Sequence, residues 1–496
     1  MLTPLTSASA FALYQAMLLR SPRTPGDSAK VFVLGSLNLI SLSNGIIFGQ
    51  AACVISSLQK NEEGIQLTEG QISLIASLLI ITNVLGFGLG AFIADKFGRR
   101  WSFSISSILV VINWIVLYRA KDFYEFVLSR IIGGIAVGAL WKLVIFVTAE
   151  YTSSKTRAFF LNMVTTVSPA IGTALIHVIG NILHWRTVTL ISIIPSVIGA
   201  VIPYFWVESP HWLASRRKFE ECQTAFRKLH GNTTNSEREL LLLLKMETAK
   251  FNNAIETNSE PTFKRLLIAF KRKYFWELLL MSMFMHAYIA AGSKLVFTSL
   301  AMVMLKDITG TSDVLLFTLL VDSFMIIGSC ISLFIRKTSV RTLLFSTGFA
   351  ANVVIVIFSF CFYFRNGQTY FNWINVCLLA MFFILVNSGP YPLLDAIFSE
   401  MFPLELKLYI FSISGVVLVV LLSLTIFLFP YIVNAIGYHG LFLMNAGIMT
   451  ISLGYMWVKW PETKGRTLQE IEVYFKANNF DVEEVLSKEQ TMNLII

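Results

Sequence analysis

The feature that most limits this chain is a recurring, predominantly apolar stretch of roughly 20 residues, the length a helix needs to cross a ~30 Å hydrocarbon core. Such stretches fall at residues 31–53, 72–94, 101–117, 123–148, 159–180 and 187–207. From 208 to 273 the pattern gives way to polar and basic sequence with helical apolar spacing in residues 237–249, and it resumes at 274–305, 314–335, 343–364, 373–398, 408–433 and 441–458. The expected fold is an all-α membrane protein with twelve transmembrane helices, arranged as two six-helix bundles around a cytoplasmic helical insert. Composition agrees: 55% of the 496 residues are hydrophobic and 14% charged, where soluble domains carry nearer ~25% charge. With 41 Phe and 10 Trp to bury, the chain is not disordered. Its net charge of +9 reads as loop charge that sets topology, because no basic and aromatic module for nucleic acid is present.

Five segments follow: an N-terminal tail (1–30), the first bundle (31–207), the insert (208–273), the second bundle (274–458) and a C-terminal tail (459–496). Lys and Arg concentrate on one side, at Lys96, Arg99, Arg100, Lys155, Arg157, Arg336, Lys337, Arg341 and Lys407 together with the insert, so both termini and the insert are expected in the cytoplasm. Asn232-Thr233-Thr234 is a glycosylation sequon that this topology keeps from the glycosylating compartment. The apolar patch from Phe11 to Leu19 has no basic residue before it, so a cleaved signal peptide is not expected. The cysteines (Cys53, Cys222, Cys330, Cys361, Cys377) have neither CxxC nor Cys/His ligand spacing and read as small buried hydrophobes, with no disulfide, metal or cofactor implied.

An internal repeat ties the halves together. Glu150 and Arg157 follow the fourth span, and Glu400 and Lys407 follow the tenth at the same separation of 250 residues; Glu208 after the sixth span matches Glu462 after the twelfth, 254 residues on. Acid and base at equivalent cytoplasmic helix ends can pair within their own bundles and latch one conformation.

The stretch Ala94-Asp95-Lys96-Phe97-Gly98-Arg99-Arg100 resembles the loop motif of the major facilitator superfamily. Arg130-Ile131-Ile132-Gly133-Gly134, Ala149-Glu150 with Arg157, Glu208-Ser209-Pro210-His211-Trp212-Leu213 and Pro461-Glu462-Thr463-Lys464-Gly465-Arg466 resemble its sugar porter branch, most closely the insect trehalose-transporter-like group. The resemblance implies two halves rocking about a substrate held near the midplane, and a cytoplasmic gate made of Asp95, Gly98, Arg99, Arg100, Glu150, Arg157, Glu208, Glu400, Lys407 and Glu462. Independently, Asp95 can accept from an Arg or from helix N–H groups, and Gly98 permits a turn that brings Arg99 and Arg100 towards Glu150 and Glu208. Alternatively the loop cations only anchor topology.

Several positions depart from the family pattern. His211 stands where the family has Arg, and after the eighth span the expected acid is Arg336, which leaves the second-half latch to Glu400 with Lys407 or Arg341. In the seventh span the sugar-contacting amide pair is replaced by Met285 and His286, and an Asn by Ala291; in the tenth, Leu393 follows Gly389-Pro390-Tyr391-Pro392 where Trp is expected. Unpaired sugar hydroxyls cost roughly 1–3 kcal/mol each, so a conventional hexose site is in doubt. By resemblance the first, fourth, seventh and tenth spans line the cavity and a stretch of the fifth also contacts substrate, which makes Lys142, Thr165, His286, Tyr288 and Asn387 the candidate substrate-binding residues, with Asn44, Gln50, Thr166, Ser168, Ser293, Lys294 and Asp395 nearby. Lys142 sits about 12 Å from the inner end, where a charge costs on the order of 2.5–3.5 kcal/mol. It meets a polar or anionic substrate group, or it pairs internally with Asp395 or Asp322. His286 is either a cavity hydrogen-bonder or a core histidine.

No nucleophile–base set, phosphate loop or metal cluster supports an enzyme. The expected activity is facilitative uniport of a sugar such as trehalose or a hexose across the plasma membrane, because the first span lacks the acid that proton-coupled relatives carry. The small-molecule substrate and the lipid bilayer are the expected partners. A non-sugar polar or anionic solute, or a solute sensor that does not transport, remain the alternatives.

Overall fold

A computed structural model describes residues 25–59, 65, 67–153, 156–256, 270, 273–292, 314–334, 339–364, 369–402, 407–482 and 484–485. Among them every regular element is a helix, as lipid requires of a backbone that must satisfy its own polar groups. The first half contributes Pro25–Gln59, a second span in two pieces (Glu69–Ile81 and Asn83–Phe97), Arg99–Arg119, Phe123–Tyr151, a fifth span in which a π-helical turn, Met163–Val167, joins Arg157–Asn162 to Ser168–Ile182, and Trp185–Val201. The second half contributes Lys273–Ala291, Val314–Phe334, Val340–Tyr363, a tenth span broken at Gly389 into Thr369–Ser388 and Pro390–Glu400, and Lys407–Lys459, which holds the eleventh and twelfth spans on either side of a kink at Gly437. Ten of the described helices are long and apolar enough to span a bilayer; the described apolar helices of the eighth and eleventh spans are shorter, Leu319–Ser332 and Ile413–Thr425.

Each half has its own core, one around Ile47, Trp114, Phe126 and Val147, the other around Phe275, Phe345, Phe383 and Trp460. Ile145 and Leu161 of the first half pack into the second core and form part of the seam between the bundles. Glycine sets how near helices come: a Cβ on Gly138 of the fourth span would lie 2.3 Å from the Asn83 carbonyl oxygen of the second, and one on Gly86 2.1 Å from that of Ile135. Backbones this close gain dispersion contact where lipid offers no hydrophobic drive for association.

The insert forms three helices, Pro210–Ser215, Phe219–His230 and Thr234–Glu256, over a small core of Leu213, Cys222, Phe226, Leu240 and Leu243. The longest also packs Leu242 and Met246 against Val473, Val482 and Val485, in and beyond the tail helix Leu468–Ala477. Sequence after the sixth span therefore touches sequence after the twelfth, and these contacts link the ends of the two halves.

Gly138→Val is expected to force the second and fourth spans apart at a cost of roughly 1–3 kcal/mol. The detergent-solubilised variant should melt several degrees below wild type, and an unchanged Tm would contradict this packing.

Candidate functional site

The end of the first half that faces the insert is built around a carboxylate with no exposed surface. Glu150 receives Arg99 through both oxygens, Nε at 2.9 Å and NH2 at 2.7 Å, and the Ser209 hydroxyl at 2.7 Å. The two-pronged geometry uses the planar guanidinium fully. Arg99 is delivered by Gly98, whose φ of 93° lies in the left-handed region, and a Cβ there would stand 2.5 Å from a Glu208 oxygen. Glu208 in turn accepts the backbone N–H groups of Arg99 and Ser209, each at 2.9 Å. Burial pushes the Glu208 carboxyl above the usual carboxylate range, and these N–H donors oppose that rise.

One neighbour differs from the sequence expectation. The Arg100 side chain does not reach Glu150 or Glu208; it donates to the carbonyls of Pro203 and Tyr204, which end the sixth span and carry the negative pole of its helix dipole. Asp95 pairs with Arg216 of the insert at 3.0 Å, while Trp212 donates to its backbone carbonyl at 2.9 Å. Arg216 and Trp212 were illegible as partners because they sit about 120 residues along the chain in a segment with only weak periodicity.

At the matching end of the second half, Arg157 NH1 of the first half reaches Glu400 Oε1 at 3.0 Å, with both side chains largely buried. The side chain of Lys407 lies outside the described residues. Glu462 accepts backbone N–H groups from Arg341 at 3.2 Å and Lys464 at 2.9 Å, while Arg341 donates to the Trp457 carbonyl at 2.6 Å. The backbone-to-carboxylate half of the Arg99 arrangement is thus repeated.

Of the candidate substrate residues, Lys142, His286, Tyr288 and Asn387 are buried and Thr165 is half-buried. The Lys142 ammonium lies over two rings, Phe87 of its own half at 5.1 Å and Phe398 of the other at 4.9 Å. A desolvated cation held this way gains about 2 kcal/mol or more. His286, 2% exposed, meets the same Phe398 ring edge-on at 4.8 Å. Asp322 is taken by His177 at 2.8 Å and not by Lys142. Tyr288 and Asn387 have no exposed surface: Tyr288 points towards Gly348 of the ninth span, and Asn387 donates to Phe383 O one turn back, at 2.8 Å. Gln50 faces the sixth span, donating to Thr189 Oγ1 at 2.7 Å and the Trp185 carbonyl at 2.9 Å. Thr165 lies in the π-helical turn with its hydroxyl 3.3 Å from that of Thr166. Such turns recur at functional sites. Ser293 and Lys294 lie outside the described residues. Arg130 went unsingled in the sequence outside its glycine motif. It is 1% exposed, and none of its three guanidinium nitrogens has a hydrogen-bond partner.

A family model described as sugar (and other) transporter matches residues 36–475. The chain belongs to this sugar transporter family. Sugar transporter ERD6-like 17 of Arabidopsis thaliana is 26% identical over 437 residues, 87% of this chain and 89% of that one. The glucose transporter GlcP of Staphylococcus epidermidis is 24% identical, covering 89% of this chain and 96% of its own length. The fold is that of the proton:xylose symporter XylE bound to 6-bromo-6-deoxy-D-glucose, with a TM-score of 0.75 at 20% identity, covering 89% of this chain and 99% of that chain. Sugar transporter family members are transporters and not enzymes, and this chain is a multi-pass membrane protein.

Two outcomes test the latch. Glu150→Gln strips the charge from a buried partner of Arg99, a loss of about 3–5 kcal/mol, whereas Asp95→Asn at the half-exposed Arg216 pair loses no more than about 1 kcal/mol; equal drops in Tm would contradict the order. On the insert, burial first, and then the charges of Lys30, His211 and Arg157, push His230 down to about 3. A base held neutral on docking lends stability that is complete above the ordinary imidazole range and is lost as pH falls from about 6.5 towards 3. Hydrogen exchange in residues 219–230 should accelerate on acidification, and His230→Phe should flatten that response; an unaltered response in the variant would exclude His230 as its source.

Proposed function

We propose that the protein is a facilitative uniporter that moves a sugar such as trehalose or a hexose by alternating access, in the plasma membrane with both termini cytoplasmic. The observation that carries this reading is the Arg157–Glu400 ion pair, formed by residues of opposite halves at the cytoplasmic end. A contact across the seam has to break for the inner side to open, so it links gate state to the relative position of the bundles. In this reading Asp95, Gly98, Arg99, Arg100, Glu150, Arg157, Glu208, Glu400, Lys407 and Glu462 form the gate, and Lys142, Thr165, His286, Tyr288 and Asn387 act in or around the substrate site. Arg100 and Glu462 act through helix ends and backbone N–H groups. Tyr288 and Asn387 shape the second bundle's wall. Sugar-transporting relatives support the substrate class. The absence of an acid from residues 31–53 supports uniport.

A second reading has its own observation. Arg130 and Lys142 put two buried cations on the fourth span, and the Arg130 guanidinium has no hydrogen-bond partner. A carboxylate or other anionic group on the solute would supply one.

Proteoliposome uptake of trehalose, glucose, polyols and sugar acids, with and without a protonophore, separates the readings. Saturable sugar flux that equilibrates and ignores the protonophore is the expected result. Uptake confined to anionic solutes supports the second reading, and saturable binding with no flux contradicts both. A glycan on Asn232 would contradict the cytoplasmic placement of the insert.

A further inference from the structure

A second polar contact crosses the seam, far from the Arg157–Glu400 pair. His177 of the fifth span places Nδ1 2.8 Å from Oδ2 of Asp322 on the eighth, with the two side chains 9% and 7% exposed. His177 lies twenty residues along the span from Arg157, about 30 Å at the helical rise, and five before the helix ends at Ile182. Arg157 marks the cytoplasmic end, so the His177–Asp322 pair belongs to the opposite, outer part of the seam.

Each member is anchored in a different rigid body. The fifth span is locked to the first: Thr173 donates to Gly45 O at 2.9 Å, and a Cβ on Gly45 would stand 2.0 Å from Pro169 O. The eighth span is locked to the tenth, where a Cβ on Gly328 would stand 2.6 Å from Ile384 O. Relative motion of the halves therefore falls on the face between the fifth and eighth spans, and the pair lies in that face. A carboxylate at this depth is costly when unpaired, and the imidazole that satisfies Asp322 comes from the other half. Its partner is present when the halves meet there and absent when they part.

We propose that His177 and Asp322 form an outer latch of the transport cycle, engaged when the extracellular side is closed. This rests on the alternating-access reading above. The hydrogen bond joins elements anchored in opposite halves, so parting the halves there breaks it and leaves the Asp322 carboxylate without its imidazole partner.

The test is a distance measurement that needs no substrate. Spin labels on cysteines introduced at Asn181 and Phe364, exposed at the outer ends of opposite halves, report outer opening in nanodiscs of the full chain with its native cysteines replaced. His177→Leu should lower the ratio of closed to open populations about five-fold, and Asp322→Asn should do the same. The double variant should fall no further than either single one, because the two changes remove one shared contact. Losses that add up, or single variants that leave the ratio unchanged, would overturn the latch and leave alternating access standing. A single unchanging distance under every condition would overturn both.

Discussion

Glu150 is the residue on which the insert-facing end of the first bundle depends. A carboxylate removed wholly from solvent is tolerable only when its oxygens are filled, and three donors from two separate segments fill them: the two guanidinium nitrogens of Arg99 from the loop after the second span, and the Ser209 hydroxyl from the chain after the sixth. Satisfying that one charge fixes where the second, third, fourth and sixth spans end relative to one another. It also positions the insert, because Ser209 caps the first insert helix by accepting the Trp212 N–H and Trp212 returns to Asp95. The first bundle is in this way a single electrostatic unit at its base.

The second half repeats part of the plan. Glu462 collects backbone N–H groups as Glu208 does, while Glu400 receives Arg157 from the other half. That pair joins the bundles to each other. The insert and tail helix reinforce it through the contacts of Leu242 and Met246 with Val473. Under the proposed function, these contacts between the halves close the inner gate.

Much of this was legible. Hydrophobic stretch length gave the helices, and the spacing of Asp95, Gly98, Arg99 and Glu150 gave the Arg99–Glu150 pair, because a glycine turn followed by Arg leaves few acids within reach. The rest turned on information a linear pattern does not carry. The 250-residue repeat invites each acid to pair within its own half, and only the packed bundles show that Glu400 receives Arg157 of the other half. Whether Gln50, Tyr288 and Asn387 face a cavity or a neighbouring helix depends on how each helix is rotated, which uniformly apolar surroundings leave unspecified. Lys142 suggested an acidic partner because charge is the first thing a buried lysine calls to mind; two aromatic faces, 55 residues upstream and 256 downstream, also receive it. His177 was passed over because a lone histidine in an apolar span has no motif around it.

The claim that ties these observations together is that a charge pair between the halves holds the cytoplasmic side shut. Its most direct test is the distance between spin labels at Thr224 on the insert and Lys459 at the end of the twelfth span, compared between the wild type and Glu400→Gln. Loss of the Glu400 charge should move population from a short to a longer distance, with the cytoplasmic ends parted. An unchanged distribution in a well-folded variant would contradict the account.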